Sequence, residues 1–303
     1  MRIASSQYES TMTRSLQMND AKLAHLTQQM ASGARVQLPS DDPISAVRIS
    51  RLRREEAAVT QYRDNIGALK IRLQKNETYM SGMINDMHQA RDLLVWALDG
   101  GNSSDDLNAM AGSLQSLRDS LFYSANSKDQ EGRYVFSGTL ISQPALTYDG
   151  TAALGARYSF TGNTAQQQVA VGNGITQPAN VDLSGMEALL NLMDSTIATL
   201  RTAGVSPNDP VAHQIMADGL DGIDVAMGAI STKIADLGGT QNILSTLDTN
   251  HANVSLSNKM ALTDIAQLDY ASAAVELNGY TMALQATQKA YAKVSGLSLF
   301  NVL

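Results

Sequence analysis

The chain has 303 residues, with 44% apolar and 17% charged side chains, which is a globular rather than a disordered composition. A net charge of −7 excludes a general nucleic-acid or anionic-membrane binder. No run approaches 18 apolar residues, so no transmembrane helix is expected, and no apolar stretch at the N-terminus reads as a cleavable signal peptide.

Aromatics are scarce at 5%, and 14 methionines together with alanines do the filling, as in long helix pairs with close axes. There is no cysteine, which removes thiol catalysis and zinc–thiolate sites. The four histidines (His25, His88, His213, His251) show no metal-ligand spacing. No phosphate-loop, dinucleotide or nucleophile-elbow motif is present, so an enzyme reading has no residues to stand on and no cofactor is expected.

The first element carries an apolar stripe, Met12, Leu16, Asn19, Leu23, Leu26 and Met30, at alternating spacings of four and three. That is the seam of a coiled coil. Gly33 suits the left-handed position just past a helix end. Ser40-Asp41-Asp42-Pro43 then reads as a helix start, with Asp41 or Asp42 as the cap and Pro43 in the first turn. A long seam follows from Val59 through Ile66, Leu73, Met80 and Met87 to Leu94, predicting a helix on the order of 80 Å long that needs partners alongside.

Asp99-Gly100-Gly101 breaks this helix, and Leu107, Met110, Leu114, Leu117 and Leu121 mark its antiparallel return. From Gly132 the pattern switches. Residues 132–139, 148–150, 158–160 and 168–174 read as short strands, with Gly172-Asn173-Gly174 as a hairpin turn. Helical spacing resumes at Met186 and runs to Leu200; a loop and fresh cap at 203–210 precede another long helix bearing Ile223, Ile230, Leu237 and Leu244. The Gly238-Gly239 pair inside it predicts a close approach of two backbones. Residues 263–270 read as a hinge before a last helix, whose seam is Leu277, Tyr280, Leu284, Thr287, Tyr291 and Val294.

The fold class that follows is mainly α: a long antiparallel helical, coiled-coil rod built from the N- and C-terminal halves, with a small β insertion at the tip. Its expected segments are a terminal helix (1–32), a linker (33–43), a rod half (44–131), the insertion (132–180), the second rod half (181–262), a linker (263–270) and a terminal helix (271–303). The two end seams could pair with each other, with a neighbouring subunit, or both.

Several stretches together resemble the bacterial flagellin family, and within it the hook–filament junction branch. They are Met1-Arg2-Ile3, Ser32-Gly33-Ala34-Arg35-Val36, Pro39 to Pro43, Gln61 to Ile66, Gly132 to Thr139, Leu284 to Tyr291 and Ser295 to Leu303. The resemblance implies a structural subunit exported without cleavage through the flagellar type III channel. Its implied partners are further copies of itself, the first hook-associated protein, flagellin, the filament cap during assembly, and a cytoplasmic chaperone on the C-terminal helix. The alternatives are a flagellin-type filament subunit and, in another class, a cytoplasmic signalling rod.

Overall fold

The computed structural model describes the backbone of residues 2–295 and the side chains of residue 7 and residues 9–293. In chain order the elements are α1 (Arg2–Ser32), α2 (Pro43–Ala97), α3 (Ser104–Ala125), β1 (Leu146–Tyr148), β2 (Tyr158–Phe160), β3 (Gln168–Gly172), β4 (Ile175–Pro178), α4 (Met186–Leu200), α5 (Pro210–Ala266) and α6 (Tyr270–Ser295). The fold is mainly α with two small antiparallel hairpins, β1–β2 and β3–β4. It divides into two compact units, Met1–Thr60 with Ala252–Leu303, and Gln61–His251.

The larger unit has a continuous apolar core. The α2 seam is buried throughout it: Ile66, Leu73, Met80, Met83, Met87, Ala90 and Leu94 are all closed to solvent. In this unit α2 and α5 run antiparallel, because their cross-pairs climb one helix while descending the other. Arg63 meets Asp248 at 2.9 Å, Gln241 donates to Glu77 at 2.9 Å, and Arg91 meets Asp224 at 2.8 Å. Ser103 caps α3 through a reciprocal pair with Asp106: the Asp106 N–H donates to Oγ at 3.2 Å, and the Ser103 N–H donates back to the carboxylate at 3.0 Å. α3 returns along α2, where the Ser120 hydroxyl donates to Asp86 at 2.7 Å. α4 then packs on α3, and Asp209 opens α5 by accepting from Val211 and Ala212 at 2.8 and 3.0 Å, just ahead of Pro210 in the first turn.

The close helix approach lies elsewhere than the Gly238-Gly239 pair. α5 is continuous through that pair, and a Cβ on either glycine would meet nothing within 4 Å. The tight contact is about two and a half to three turns after the start of α5, against α4. A Cβ at Gly219 would sit 2.6 Å from Thr196 Oγ1, and one at Gly222 would sit 2.4 Å from Leu192 Cδ1. Thr196 is wholly buried and β-branched, so it cannot retreat.

Residues 132–139 also differ from expectation. They form no strand; Tyr134 and Ser137 make isolated bridges to Lys128 and Asp182. Gly132 and Gly138, at φ +78° and +70°, turn the chain instead, and Gly138 lies directly against the Asn163 backbone. The hairpin at Asn173-Gly174 does form, with the register slipping between Ala170 and Gly172.

Short hairpins are marginal alone, and three asparagines hold these: two tie β1–β2 to the helices, and the third closes the base of β3–β4. Asn126, the C-cap of α3, exchanges both backbone hydrogen bonds with Leu146 at 2.9 and 3.0 Å. Asn191 of α4 does the same with Tyr158 at 2.9 and 2.8 Å. Asn180 accepts from the Gln167 N–H and donates to the Ala165 carbonyl. Beside them Asp194, only 5% exposed, is held by Arg118 and Arg157. Burial, partly offset by the Arg118 charge over its ring, pushes the Tyr158 phenol up to about 12.

Two measurements check this packing. Gly219→Ala should destabilise the chain by about 1–3 kcal/mol through overpacking, whereas Gly238→Ala should stabilise it by about 0.5–1 kcal/mol through helix propensity; thermal unfolding by circular dichroism separates them. Asp194→Ala should cost on the order of 3 kcal/mol, because it leaves Arg118 and Arg157 facing each other without their shared carboxylate; a denaturant melt showing no change would remove that account of the network.

Candidate assembly site

The smaller unit is where the predicted seam and cap residues fall. α1 and α6 pack against each other, so the two end seams do meet within one chain. On α1, Met12, Leu16, Asn19, Leu23 and Met30 are half-buried and Leu26 is buried, while the residues between them are mostly exposed. On α6, Leu277, Tyr280, Leu284 and Thr287 are half-buried, and Lys22 of α1 places its ammonium 5.6 Å from the Tyr280 ring centre. Tyr291 is 38% exposed. The side chain of Val294 lies outside the described residues.

The segments that join the terminal helices to α2 and α5 form a single knot, and its parts come from opposite ends of the chain. Gly33 ends α1 at φ +70°, its N–H donating to the Gln29 carbonyl at 2.8 Å. Ala34 then bridges to Gln267: the Arg35 N–H donates to the Ala266 carbonyl at 2.8 Å, and the Leu268 N–H donates to the Gly33 carbonyl at 2.9 Å. The Arg35 guanidinium donates to the Ile265 carbonyl at 3.0 and 3.2 Å, to Ser45 Oγ at 3.0 Å and to Asp42 at 3.3 Å. One cation thus closes the C-terminal carbonyls of α5 and the N-terminus of α2 together, where a positive charge favours the first and an anion the second. The Tyr270 hydroxyl donates to the Met30 carbonyl at 2.9 Å, doing for the end of α1 what Arg35 does for the end of α5.

The two carboxylates of the helix-start motif have separate tasks. Asp42 is the cap: it accepts from the Ser45 N–H at 3.0 Å, its carbonyl takes the first helical bond from Ala46 at 2.9 Å, and Pro43 is the first helical residue. Asp41 instead closes the preceding turn, accepting from the Leu38 and Gln37 N–H groups at 2.9 and 3.1 Å, and meets His25 of α1 at 3.3 Å. Ser40 is exposed in that turn. Asp269 caps α6 through the Ala271 N–H at 2.9 Å and the Ser272 hydroxyl at 2.8 Å.

Each of these acids is held below its ordinary value. For Asp41 the cause is first the Leu38 N–H; for Asp42, the Ser45 hydrogen bonds and then Arg35; for Asp269, the Ser272 hydroxyl and N–H. Among the described residues, no group of three or more His, Asp or Glu is placed to hold a metal ion.

The sequence reading places Asp269 and Tyr270 in a hinge and leaves Arg35 without a partner. Asp269 with Ser272 three positions on is a helix-start signal in its own right. The partner of Arg35 lies 230 residues away, and nothing local marks it.

The described part of this unit has a small core. Among the described residues its buried apolar side chains are Leu26, Ile49, Val59 and Ala273. Against them stand Met18, Ile44, Val47, Leu256, Met260, Val275 and Met282, each more than half exposed. Apolar surface of this extent marks an interaction surface.

Terminal helices joined to a folded middle, with bare apolar faces at the ends, are the arrangement of a flagellin-type subunit. In keeping with that class, residues 3–140 match the family model of the bacterial flagellin N-terminal helical region. The chain is 30% identical to flagellar hook-associated protein 3 of Salmonella typhimurium, over 97% of each, and 28% identical to the protein of the same name in Escherichia coli, over 95% of each. It therefore belongs to the flagellar hook-associated protein 3 family. A solved flagellar hook-associated protein from Vibrio parahaemolyticus superposes with a TM-score of 0.68 at 29% identity, covering 75% of this chain and 100% of that one. A hook-associated protein 3 from Legionella pneumophila shares the fold, with a TM-score of 0.63 at 16% identity over 72% of this chain and 99% of that one.

The acid shifts set a pH window. A carboxylate with a depressed folded value contributes stability above its ordinary value, here 3.8, and loses it as pH falls through the lowered one. Amide exchange in residues 33–42 and 267–272 should therefore rise steeply below about pH 4 once corrected for intrinsic rates, before the α2 seam of the larger unit opens. Arg35→Ala should expose the same two segments to protease at neutral pH without moving the main thermal transition.

Proposed function

We propose that this chain is a structural subunit of the bacterial flagellum that acts at the hook–filament junction, as the adaptor between the first hook-associated protein and flagellin. The observation that carries this reading is the smaller unit: it has paired end helices, few buried apolar residues and wide exposed apolar faces. Such a surface marks a face that neighbours cover in an assembly. In this reading α1 and α6 form the terminal module of residues 1–32 and 271–303, which packs into the inner tube. The larger unit forms the next layer out, with the insertion of residues 132–180 facing solvent.

Contacts between copies are heterologous and follow a helical lattice, as an open filament requires. Before export through the type III channel, a chaperone covers the seam of α6; during assembly, the filament cap lies above. The final site is extracellular. An absence of cysteine suits a chain that is threaded out unfolded and refolds outside.

Deletion of residues 271–303 should abolish filament attachment and motility while leaving the larger unit folded by circular dichroism. Immunogold labelling of isolated flagella should mark the junction alone. Label distributed along the filament, or wild-type swimming by the deletion strain, would refute the adaptor role.

A further inference from the structure

The smaller unit carries cations with nothing to meet them. Arg48 and Arg51, in the first turns of α2, are exposed, and their guanidinium groups have no ion pair or hydrogen bond among the described residues. Glu55 lies one turn beyond Arg51 and pairs with neither. On the same helical face Ile44 and Val47 are 74% and 69% exposed. A short charge run by itself is a solvated face. This chain is acidic overall, however, and its excess of acid lies in the larger unit, while the smaller unit holds more cations than acids.

The larger unit presents a complementary face. On α5, Val211 and Val225 are 69% and 74% exposed, and between them Asp218 and Asp221 are exposed on the same stripe. Among the described residues the Asp221 carboxylate has no partner, and that of Asp218 accepts only from the neutral Gln214 side chain, at 2.7 Å. Beside Val225 a pocket of about 280 Å³ opens between α4 and α5, lined by Leu189, Leu192, Ala226 and Ala229. Its one charged lining residue, Lys233, is already paired with Asp182 at 3.3 Å, so the pocket suits an aliphatic side chain.

The two faces match in one direction. From Ile44 along α2, steps of four, three and seven reach Arg48, Arg51 and the exposed Ala58; the same steps taken backwards along α5 from Val225 reach Asp221, Asp218 and Val211. Laid antiparallel, each arginine meets an aspartate, both ends are apolar on both sides, and Glu55 faces the neutral Gln214. Laid parallel, with Arg48 on Asp218 and Arg51 on Asp221, Ile44 faces Gln214 and Glu55 faces Val225, which wastes both apolar positions.

We propose that the first turns of α2 in one copy dock antiparallel on the α5 face of a second copy, with Arg48 against Asp221, Arg51 against Asp218, and Ile44 at the apolar pocket beside Val225. This deepens the assembly reading above and rests on it. Ion pairs at such a surface add little affinity but select direction and register. Removal of Ile44, Val211 and Val225 from water supplies the attraction.

The chain has no native cysteine, so single cysteines report the contact directly. Full-length Arg51→Cys and Asp218→Cys chains are expressed together, and isolated flagella are treated with a short bismaleimide. A species of twice the chain mass should form in the mixed sample and in neither variant alone. Arg48→Glu with Arg51→Glu should lose swimming, as should Asp218→Arg with Asp221→Arg. All four changes in one chain should restore it, because every contact then has its charges exchanged. These side chains are exposed, so each reversed chain should keep the parent's circular dichroism melt; for one that melts low, the cross-link alone decides. No mixed cross-link in flagella that contain the chain, or no recovery by a folded fourfold variant, overturns this interface. Flagella that lack the chain refute the adaptor role instead, and the same cross-link, formed or absent in a concentrated mixture of the two purified chains, then decides the interface.

Discussion

The buried methionine and leucine seam between α2 and its partners is the constraint on which the larger unit depends. A helix of 55 residues has far more backbone to order than its own propensity can stabilise. Met80, Met83 and Met87 occupy successive seam positions with no exposure, in one apolar core with residues of α3, α5 and the 135–146 segment, and their unbranched side chains suit so mixed a surrounding. With the seam closed, the outer faces are free for the cross-helix pairs of Arg63, Glu77 and Arg91. The two ion pairs, Arg63–Asp248 and Arg91–Asp224, are exposed and fix direction more than they add stability.

The smaller unit is organised on the opposite principle. Its order comes from hydrogen bonds that close helix ends, concentrated in a knot of Gly33, Arg35, Asp42, Asp269 and Tyr270, and not from a packed interior. Even its buried layer between α2 and α5 is polar: Glu56 takes the Ser255 hydroxyl at 2.6 Å and meets Lys259 at 3.4 Å, while Asn258 keeps an unpaired amide nitrogen. A polar layer favours one register over closely related alternatives. The unit is thus defined in direction and register while its apolar faces remain on the surface.

Periodicity made the helices legible. The alternating three-and-four spacing located α2 and both end seams, and Asp42-Pro43 located the start of α2, because each of these signals is local. What stayed hidden depends on distant partners. Arg35 reads as an ordinary loop residue until Ile265 is beside it, and Asn126, Asn180 and Asn191 read as helix-end or loop polarity until the hairpins meet them. The glycines show the same division. Gly238 and Gly239 have the more conspicuous pattern, but Gly219 and Gly222 make the contact, since which helix face meets α4 is decided by tertiary packing. Residues 132–139 have strand-like composition, yet glycines at positive φ at both ends leave no length to pair.

The asparagine ties have a consequence for tolerance to change. They grip β1 at Leu146 and β2 at Tyr158, and the hydrogen bond from the Asp149 N–H to the Arg157 carbonyl at 2.8 Å closes the neck of the loop between them. Beyond that neck Thr151, Ala153 and Leu154 are exposed, and Gly155 then turns the chain back against Ser195 of α4. A tetracysteine tag or an epitope placed between Ala153 and Leu154, ahead of that contact, would enter a chain free of native thiols, giving a single labelling point on an exposed loop.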